Sequence, residues 1–226
     1  MSDVEFSGDG ASLFCWTGGH RFLAIDVKTG EQLQLEPPPK GIYIRFYAYS
    51  PHGSMLASGC TVTKVEANGG FQNLPQLEVC HAGTKEVLLS TFVRDTVTAL
   101  AFSPDGATLV AGLVGGPFLI WDTKQWQQSV VERAADAPKV HQYEKIVVSA
   151  DSDWLAVVAM APLDQRGQQF GEIWTLRSKQ SRTMGKGEVP VDFTPNGTLI
   201  VPSGGRLTFI YPATGEPLTL SRALRK

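Results

Sequence analysis

Residues 97–131, VTALAFSPDGATLVAGLVGGPFLIWDTKQWQQSVV, read as one complete four-stranded unit. Val97–Ser103 alternates apolar residues with small or polar ones, the period of a half-buried strand. Pro104-Asp105-Gly106 then turns the chain: Pro fixes φ, Asp tolerates the left-handed region and Gly supplies positive φ. Thr108–Leu113 is a second strand, broken by Gly115-Gly116-Pro117. Phe118–Asp122 is a third, ending in Trp121-Asp122, and after Thr123-Lys124-Gln125 a fourth runs over Trp126–Val131. No helical period runs through the stretch.

The unit is repeated. Its first turn recurs as Ser7-Gly8-Asp9-Gly10, Ser50-Pro51-His52-Gly53, Ser103-Pro104-Asp105-Gly106, Ser149-Ala150-Asp151-Ser152 and Thr194-Pro195-Asn196-Gly197, with starts 43, 53, 46 and 45 residues apart. The third strand recurs too, as Phe22–Asp26, Leu77–His81, Phe118–Asp122, Gly171–Thr175 and Leu207–Tyr211, each followed by a tight polar turn. Five units result, at about 3–35, 43–92, 96–131, 143–184 and 188–220, and together they form a single domain over 1–226. A four-stranded sheet cannot bury both of its faces alone. Sheets stacked radially cover one another and leave only short outer edges.

Strand, SPDG turn, strand, loop, strand ending in Trp-Asp, turn, strand: the unit resembles a WD40 repeat, and its spacing is close to the ~40–45 residues of that class. The resemblance implies an all-β, WD40-like β-propeller of about five four-stranded antiparallel blades. Only the third unit has a true Trp-Asp, and the Gly-His that opens many WD40 units is absent ahead of every first strand. Asp26, Trp121 and Asp122 are therefore assigned structural roles, the aspartates as acceptors of turn amides. The chain starts on a first strand and ends on a fourth, Pro217–Leu220. No strand is left over to clasp the ends, so the ring either closes end to end or is incomplete and unclasped. Unclasped end blades would invite self-association.

Composition narrows the function. With 42% hydrophobic residues, 19% charged residues and a formal charge of −2, the chain lacks the basic excess of a nucleic-acid or anionic-membrane binder. MSDVEFSGDG has no basic or apolar segment of a secretory signal, and no apolar run reaches the ~20 residues of a membrane span. Cys15, Cys60 and Cys80 form no CxxC pair and read as reduced, buried residues. A cytoplasmic protein is expected.

In such a propeller the turns after strands one and three share one face, and here they are uniformly short. The connections after strands two and four share the other, and they hold nearly all the length variation: 36–42, 61–76, 93–96, 132–142, 161–170 and 185–188. Long loops on a rigid scaffold are where binding resides. Lys64, Phe71, Arg133, Lys139, His141, Arg166 and Phe170 are the candidate partner contacts, because Arg and aromatic residues dominate protein interfaces.

Catalytic signals are weak by comparison. No HExxH, GxSxG, zinc-spaced Cys/His set or phosphate-binding Gly loop occurs. Glu5 and Asp192 are first-strand carboxylates that a channel site could use, and both read better as solvated. The expectation is a non-catalytic scaffold that presents loops to a protein or peptide and needs no cofactor. A metal-dependent propeller hydrolase or lactonase is the alternative, and a partial propeller working only within an oligomer or complex is a third reading. On the first reading, alanine at Phe71, Arg166 or Phe170 weakens partner capture in pull-downs and leaves thermal unfolding nearly unchanged.

Overall fold

The computed structural model describes residues 4–6, 10–17, 21–34, 42–51, 53–67, 69–82, 84–133, 137–162, 164, 167–185, 187–203 and 206–218. They form antiparallel sheets and, among them, no helix of a full turn. The first sheet is β1 (Val4–Phe6), β2 (Ser12–Thr17), β3 (Arg21–Asp26) and β4 (Gln32–Gln34). The second is β5 (Ile42–Tyr49), β6 (Met55–Val65), β7 (Phe71–His81) and β8 (Val87–Phe92). The third is β9 (Val97–Phe102), β10 (Thr108–Leu113), β11 (Phe118–Asp122) and β12 (Gln128–Val131), and the fourth is β13 (Gln142–Val148), β14 (Trp154–Met160), β15 (Gln169–Thr175) and β16 (Gln180–Thr183). The fifth has three strands among the described residues, β17 (Asp192–Phe193), β18 (Leu199–Ser203) and β19 (Arg206–Ile210). Each sheet is a meander in chain order, and first strands of neighbouring sheets pack together, β5 with β9, β9 with β13 and β13 with β17. This is a propeller-type stack, consistent with an incomplete ring.

The repeated turns have one chemistry. In the third sheet Ser103 Oγ donates to Asp105 Oδ1 at 2.5 Å and accepts the Thr108 amide at 2.9 Å, while Gly106 N–H donates to Ser103 O at 2.8 Å. In the fourth, Ser149 Oγ donates to Asp151 at 2.5 Å and accepts the Trp154 amide at 2.9 Å, and the Ser152 N–H donates to Ser149 O. In the fifth, Thr194 donates to Asn196 and accepts the Thr198 amide at 3.0 Å. Ser50 accepts the Met55 amide at 2.9 Å. The hydroxyl thus satisfies backbone groups that the turn would otherwise leave open. These bonds hold the Asp105 and Asp151 carboxyls below the usual range, the serine hydroxyl being the main cause in each.

The turns after third strands are just as uniform. Gly30, Lys85, Trp126, Lys179 and Gly215 donate their N–H to the carbonyl four residues earlier, at 2.7–2.8 Å, and all have positive φ. Trp126 therefore lies in the turn and not at the head of a fourth strand, which starts at Gln128. Asp26 Oδ1 accepts the amides of Lys28 and Thr29, and Asp122 Oδ1 those of Lys124 and Gln125, the structural role expected of both.

The core lies between sheets. Leu109, Ala111, Leu113, Leu119 and Trp121 pack against Ala57, Leu77 and Val79 of the second sheet. Val110 and Phe118, on the alternate face, pack against Tyr143, Leu155, Val157 and Trp174 of the fourth. Ala156 and Ile173 turn towards Leu199, Val201 and Ile210 of the fifth. Close approach needs a missing side chain at one register position. A Cβ on Gly59 would meet Val97 at 2.7 Å, and one on Gly112 would meet Tyr143 at 2.5 Å. Both glycines stand nine residues after the turn serine. The fourth sheet has Val158 there and places the gap on its cross-strand partner, Gly171, where a Cβ would meet Glu188 O at 2.7 Å.

Three further expectations are corrected. The expected loop 61–76 is mostly strand, because β6 and β7 run eleven residues each and turn only over 66–70. Phe170 belongs to β15 and packs against the core of the third and fourth sheets. A fourth strand at 217–220 is represented by a single bridge, Ile210 to Pro217, with Thr219 and Leu220 outside the described residues. Of the cysteines, Cys60 is buried and Cys80 half-buried, both free, and burial beside Glu78 pushes the Cys60 thiol up to about 11.

The first turns carry positive φ at one position, taken by Gly10, Gly53, Gly106 and Gly197 but by Ser152 in the fourth sheet. Ser152→Gly should stabilise the protein by ~0.5–1 kcal/mol, because a Cβ is disfavoured there, and Gly106→Ala should cost ~1 kcal/mol or more. Urea midpoints moving in opposite directions support this account; a shift of the same sign in both rejects it.

Candidate functional site

Contacts between neighbouring sheets sort the connections into two faces. On one face the first turns meet: Gly106 lies against Pro51, and Ser152 Oγ is 3.5 Å from Asp105. On the other the long connections meet, as where Gly115 N–H donates to His141 O at 3.2 Å. Antiparallel order within each sheet puts the connections after second and fourth strands on this second face, the loop face.

The β6–β7 hairpin dominates the loop face. β5 pairs with β6 only as far as Val62, and β8 pairs with β7 only from Gln76. Beyond those points Thr63–Val65 and Phe71–Asn73 form a two-stranded ribbon, beside which no third strand lies among the described residues. Gly70 O accepts the Glu66 amide at 2.8 Å and Gly69, at φ +80°, donates to Glu66 O at 3.0 Å. Val65 pairs with Phe71 and Thr63 with Asn73, so these four side chains share one face of the ribbon. The Thr63 hydroxyl donates to Asn73 Oδ1 at 2.9 Å, while Val65 and Phe71 are 64% and 74% exposed. An aromatic and a β-branched side chain thus stand side by side, in solvent, at the tip. Lys64 pairs with Gln72 and points to the opposite face, away from Phe71.

The other candidates are distributed differently. Lys139 and His141 are exposed on the 132–141 connection, which is pinned by buried Val140 and by His141 N–H donating to Met160 O at 2.8 Å. Arg166 lies outside the described residues. Nearby, Arg94 and Glu132 form an exposed two-pronged ion pair at 2.6 and 2.7 Å, in which the Arg94 hydrogen bond holds the Glu132 carboxyl low.

Arg133 is no surface contact. Its side chain is 9% exposed and forks onto Glu172, itself 1% exposed, with Nη1–Oε2 and Nη2–Oε1 both 2.6 Å. Nη2 also donates to Pro138 O at 2.8 Å, and Nη1 lies 3.2 Å from the Tyr143 hydroxyl, which donates to Gly116 O at 2.5 Å. Trp174 Nε1 donates to Glu172 at 3.2 Å, and the guanidinium sits 5.6 Å from the Trp174 ring centre. A Cβ on Gly116 would fall directly on the Arg133 side chain. Desolvation works against the Arg133 charge, and the Glu172 hydrogen bonds, with the charges around it, outweigh it and hold the arginine above its usual range. Burial pushes the Tyr143 phenol up, leaving it a donor at any physiological pH. The network ties the third sheet's exit to the fourth sheet. Sequence reasoning missed it because its partners are 39 residues apart. It also missed Val65, although Asn68-Gly69 between alternating residues is a hairpin signal.

Among the described residues no three of His, Cys, Asp and Glu gather as a metal site would require. His81 stands where the first and third units carry aspartate, with Nδ1 3.5 Å from the Thr84 amide, and Asp192 is exposed and accepts its neighbour's amide.

The WD40 family (WD domain, G-beta repeat) matches residues 86–116. The chain carries a WD40 repeat on a propeller-type scaffold. The matched segment runs from β8 through β9 and β10 to the connection before β11, so the repeat in sequence straddles two sheets. No curated protein sequence matches the chain. Among solved structures it is similar to Kuenenia stuttgartiensis hydrazine synthase, with a TM-score of 0.60 at 18% identity over 95% of this chain and 64% of that one. That likeness is one of fold, and this chain spans about 64% of its neighbour's length.

The two ion pairs of this face should differ sharply in worth. Glu172→Ala strands a buried arginine and an indole N–H and should cost ~3–5 kcal/mol, whereas Glu132→Ala should cost less than ~1 kcal/mol. Urea unfolding of both variants checks the ratio, and equal costs would contradict the buried network's role.

Proposed function

We propose that this chain is a non-catalytic interaction scaffold whose loop face receives a protein or peptide, with the β6–β7 hairpin as the main contact. The observation that carries the proposal is the pairing of Val65 and Phe71, both largely exposed, on a ribbon that extends past its sheet. WD40 repeats generally mediate protein interaction, which supports the same reading. An exposed aromatic beside an aliphatic residue is typical anchor chemistry at interfaces. Among the described residues no strand pairs with the outer edges of Thr63–Val65 and Phe71–Asn73, whose main-chain donors and acceptors an extended peptide can use. Lys139 and His141 are secondary contacts. Phe170 and Arg133 are removed from the contact set because their side chains pack inside the molecule.

Replacing Phe71 with Ser removes the anchor and leaves the sheets untouched. Phe71→Ser, and separately Val65→Ser, should lower the affinity for a captured binding partner by ~10-fold or more, on the scale of lost interface anchors. The melting temperature should stay within ~3 °C of the parent, because the substituted side chains contribute little buried area. Phe170→Ser should do the reverse and lower the melting temperature. Affinity by calorimetry and thermal unfolding by circular dichroism separate the two, and an unchanged affinity for both tip variants would place the contact elsewhere.

A further inference from the structure

We propose that the outer face of the fifth sheet is a self-assembly surface, covered by the first sheet of a second copy of this chain. The register of the sheets carries the argument. On the second and third strands of a sheet, two cross-strand pairs face the next sheet. In the second sheet they are Ala57 with Val79 and Gly59 with Leu77, and in the third Val110 with Ile120 and Gly112 with Phe118. All lie in the contact with the following sheet, and all but the half-buried Ile120 are buried. The fifth sheet aligns through Leu199, which pairs with Ile210 as Leu109 pairs with Trp121. At the same places it has Ile200 with Phe209 and Pro202 with Leu207. These side chains are apolar, yet Leu207 is 63% exposed and the others are only half-buried. Asp192 is the one charged residue that register puts on this face among the described strands. The opposite face already packs on the fourth sheet through Leu199, Val201 and Ile210. A sheet that ends a stack in water needs a polar outer face. This one has the apolar pattern of an internal sheet, the mark of an interaction surface.

The same register names the occupant. The third, fourth and fifth sheets each meet the sheet before them through a leucine pair, Leu109 with Trp121, Leu155 with Trp174 and Leu199 with Ile210, all buried. The first sheet has its own version, Leu13 with Ile25, and neither residue is buried. No sheet precedes it among the described residues. The stack therefore carries one half of the repeated interface at each end, and two copies fit head to tail. Within one chain the halves stay apart: among the described residues no strand of the first sheet packs on a strand of the fifth. The fit has a steric condition. Pro202 and Leu207 lack the glycine gap that admits Val97 against Gly59, so the covering sheet has to enter later along the strand. The first sheet does so. Among the described residues β1 pairs with β2 only from Val4, which stands at the register of Leu100, three positions after Val97.

The hairpin proposed above takes no part in this contact, and the experiment keeps the two apart. Light scattering behind size-exclusion chromatography reads the mass of the full chain at micromolar and near-millimolar concentrations. The parent should reach the mass of two chains or more at the higher concentration. Leu207→Glu, placed on an exposed side chain, should return it to a single chain with an unchanged circular-dichroism spectrum, whereas Phe71→Ser should keep the parent's mass. Leu13→Glu should also give single chains. An equimolar mixture of Leu13→Glu with Leu207→Glu should recover a two-chain species, because each variant retains the face that the other has lost. A single-chain parent at both concentrations, as closure on its own first sheet or cover by a different partner would give, overturns the proposal. So does a parent mass unmoved by Leu207→Glu, or a mixture of the two folded variants that stays single-chain. If Leu13→Glu fails to fold, the parent and Leu207→Glu decide the matter alone.

Discussion

Leu109 and Val110 are neighbours in the chain and face opposite ways, yet both are fully buried. That is possible only for a strand covered on both sides, and the rest of the architecture follows from it. β10 and β14 are buried along almost their whole length, and each alternate set of residues belongs to a different interface. At ~1.5–3 kcal/mol for each large apolar side chain, these interfaces are the main source of stability, and no sheet supplies both halves of one. Sheets stacked in this way depend on their neighbours, as in other repeat architectures. The glycine gaps at Gly59, Gly112 and Gly171 are the steric condition for that stacking, since each lets the next sheet's entering chain reach the strand.

Polar groups at the junctions obey the same constraint under stricter terms. Bringing sheets close buries whatever side chains leave β12 and β16. At the third-to-fourth junction a complete fork of arginine, glutamate, tyrosine and tryptophan results, each with a partner. Such a network contributes little net energy over an apolar alternative, but losing one member is expensive. Its effect is on geometry: it sets where the 132–141 connection leaves the sheet, and hence where Lys139 and His141 stand on the loop face.

Local chemistry made the repeat legible. The SPDG-like turns and the aspartates after third strands act within two to five residues, so their hydrogen bonds are implied by short motifs, and the five-sheet framework followed from spacing alone. What remained hidden was of two kinds. Arg133 reads as a loop arginine because nothing near it in sequence announces Glu172, and Arg182 reads as an ordinary outer-strand residue because Pro212 and Gly215 arrive from the next sheet. The second kind is length. Strand ends have no sharp chemical marker when the residues beyond them are Thr, Val and Lys, so the repeat spacing alone ends these two strands near Cys60 and Leu77, while β6 and β7 run on to Val65 and from Phe71.

That extra length is a place where the chain departs from the logic of mutual cover. Thr63–Val65 and Phe71–Asn73 continue the strand pattern past the last strand that pairs with it among the described residues. A two-stranded ribbon alone is marginal in water. This one persists because its strands are rooted in a four-stranded sheet and because Thr63 and Asn73 cross-link it above the root. The scaffold therefore supports the exposure of Val65 and Phe71 without gaining from it, since neither side chain is removed from water by the fold. Burial of that pair can come only from outside the described sheets. The physical asymmetry between a covered core and an uncovered tip is the reason the hairpin, and not the short, hydrogen-bonded turns of the opposite face, is the proposed contact.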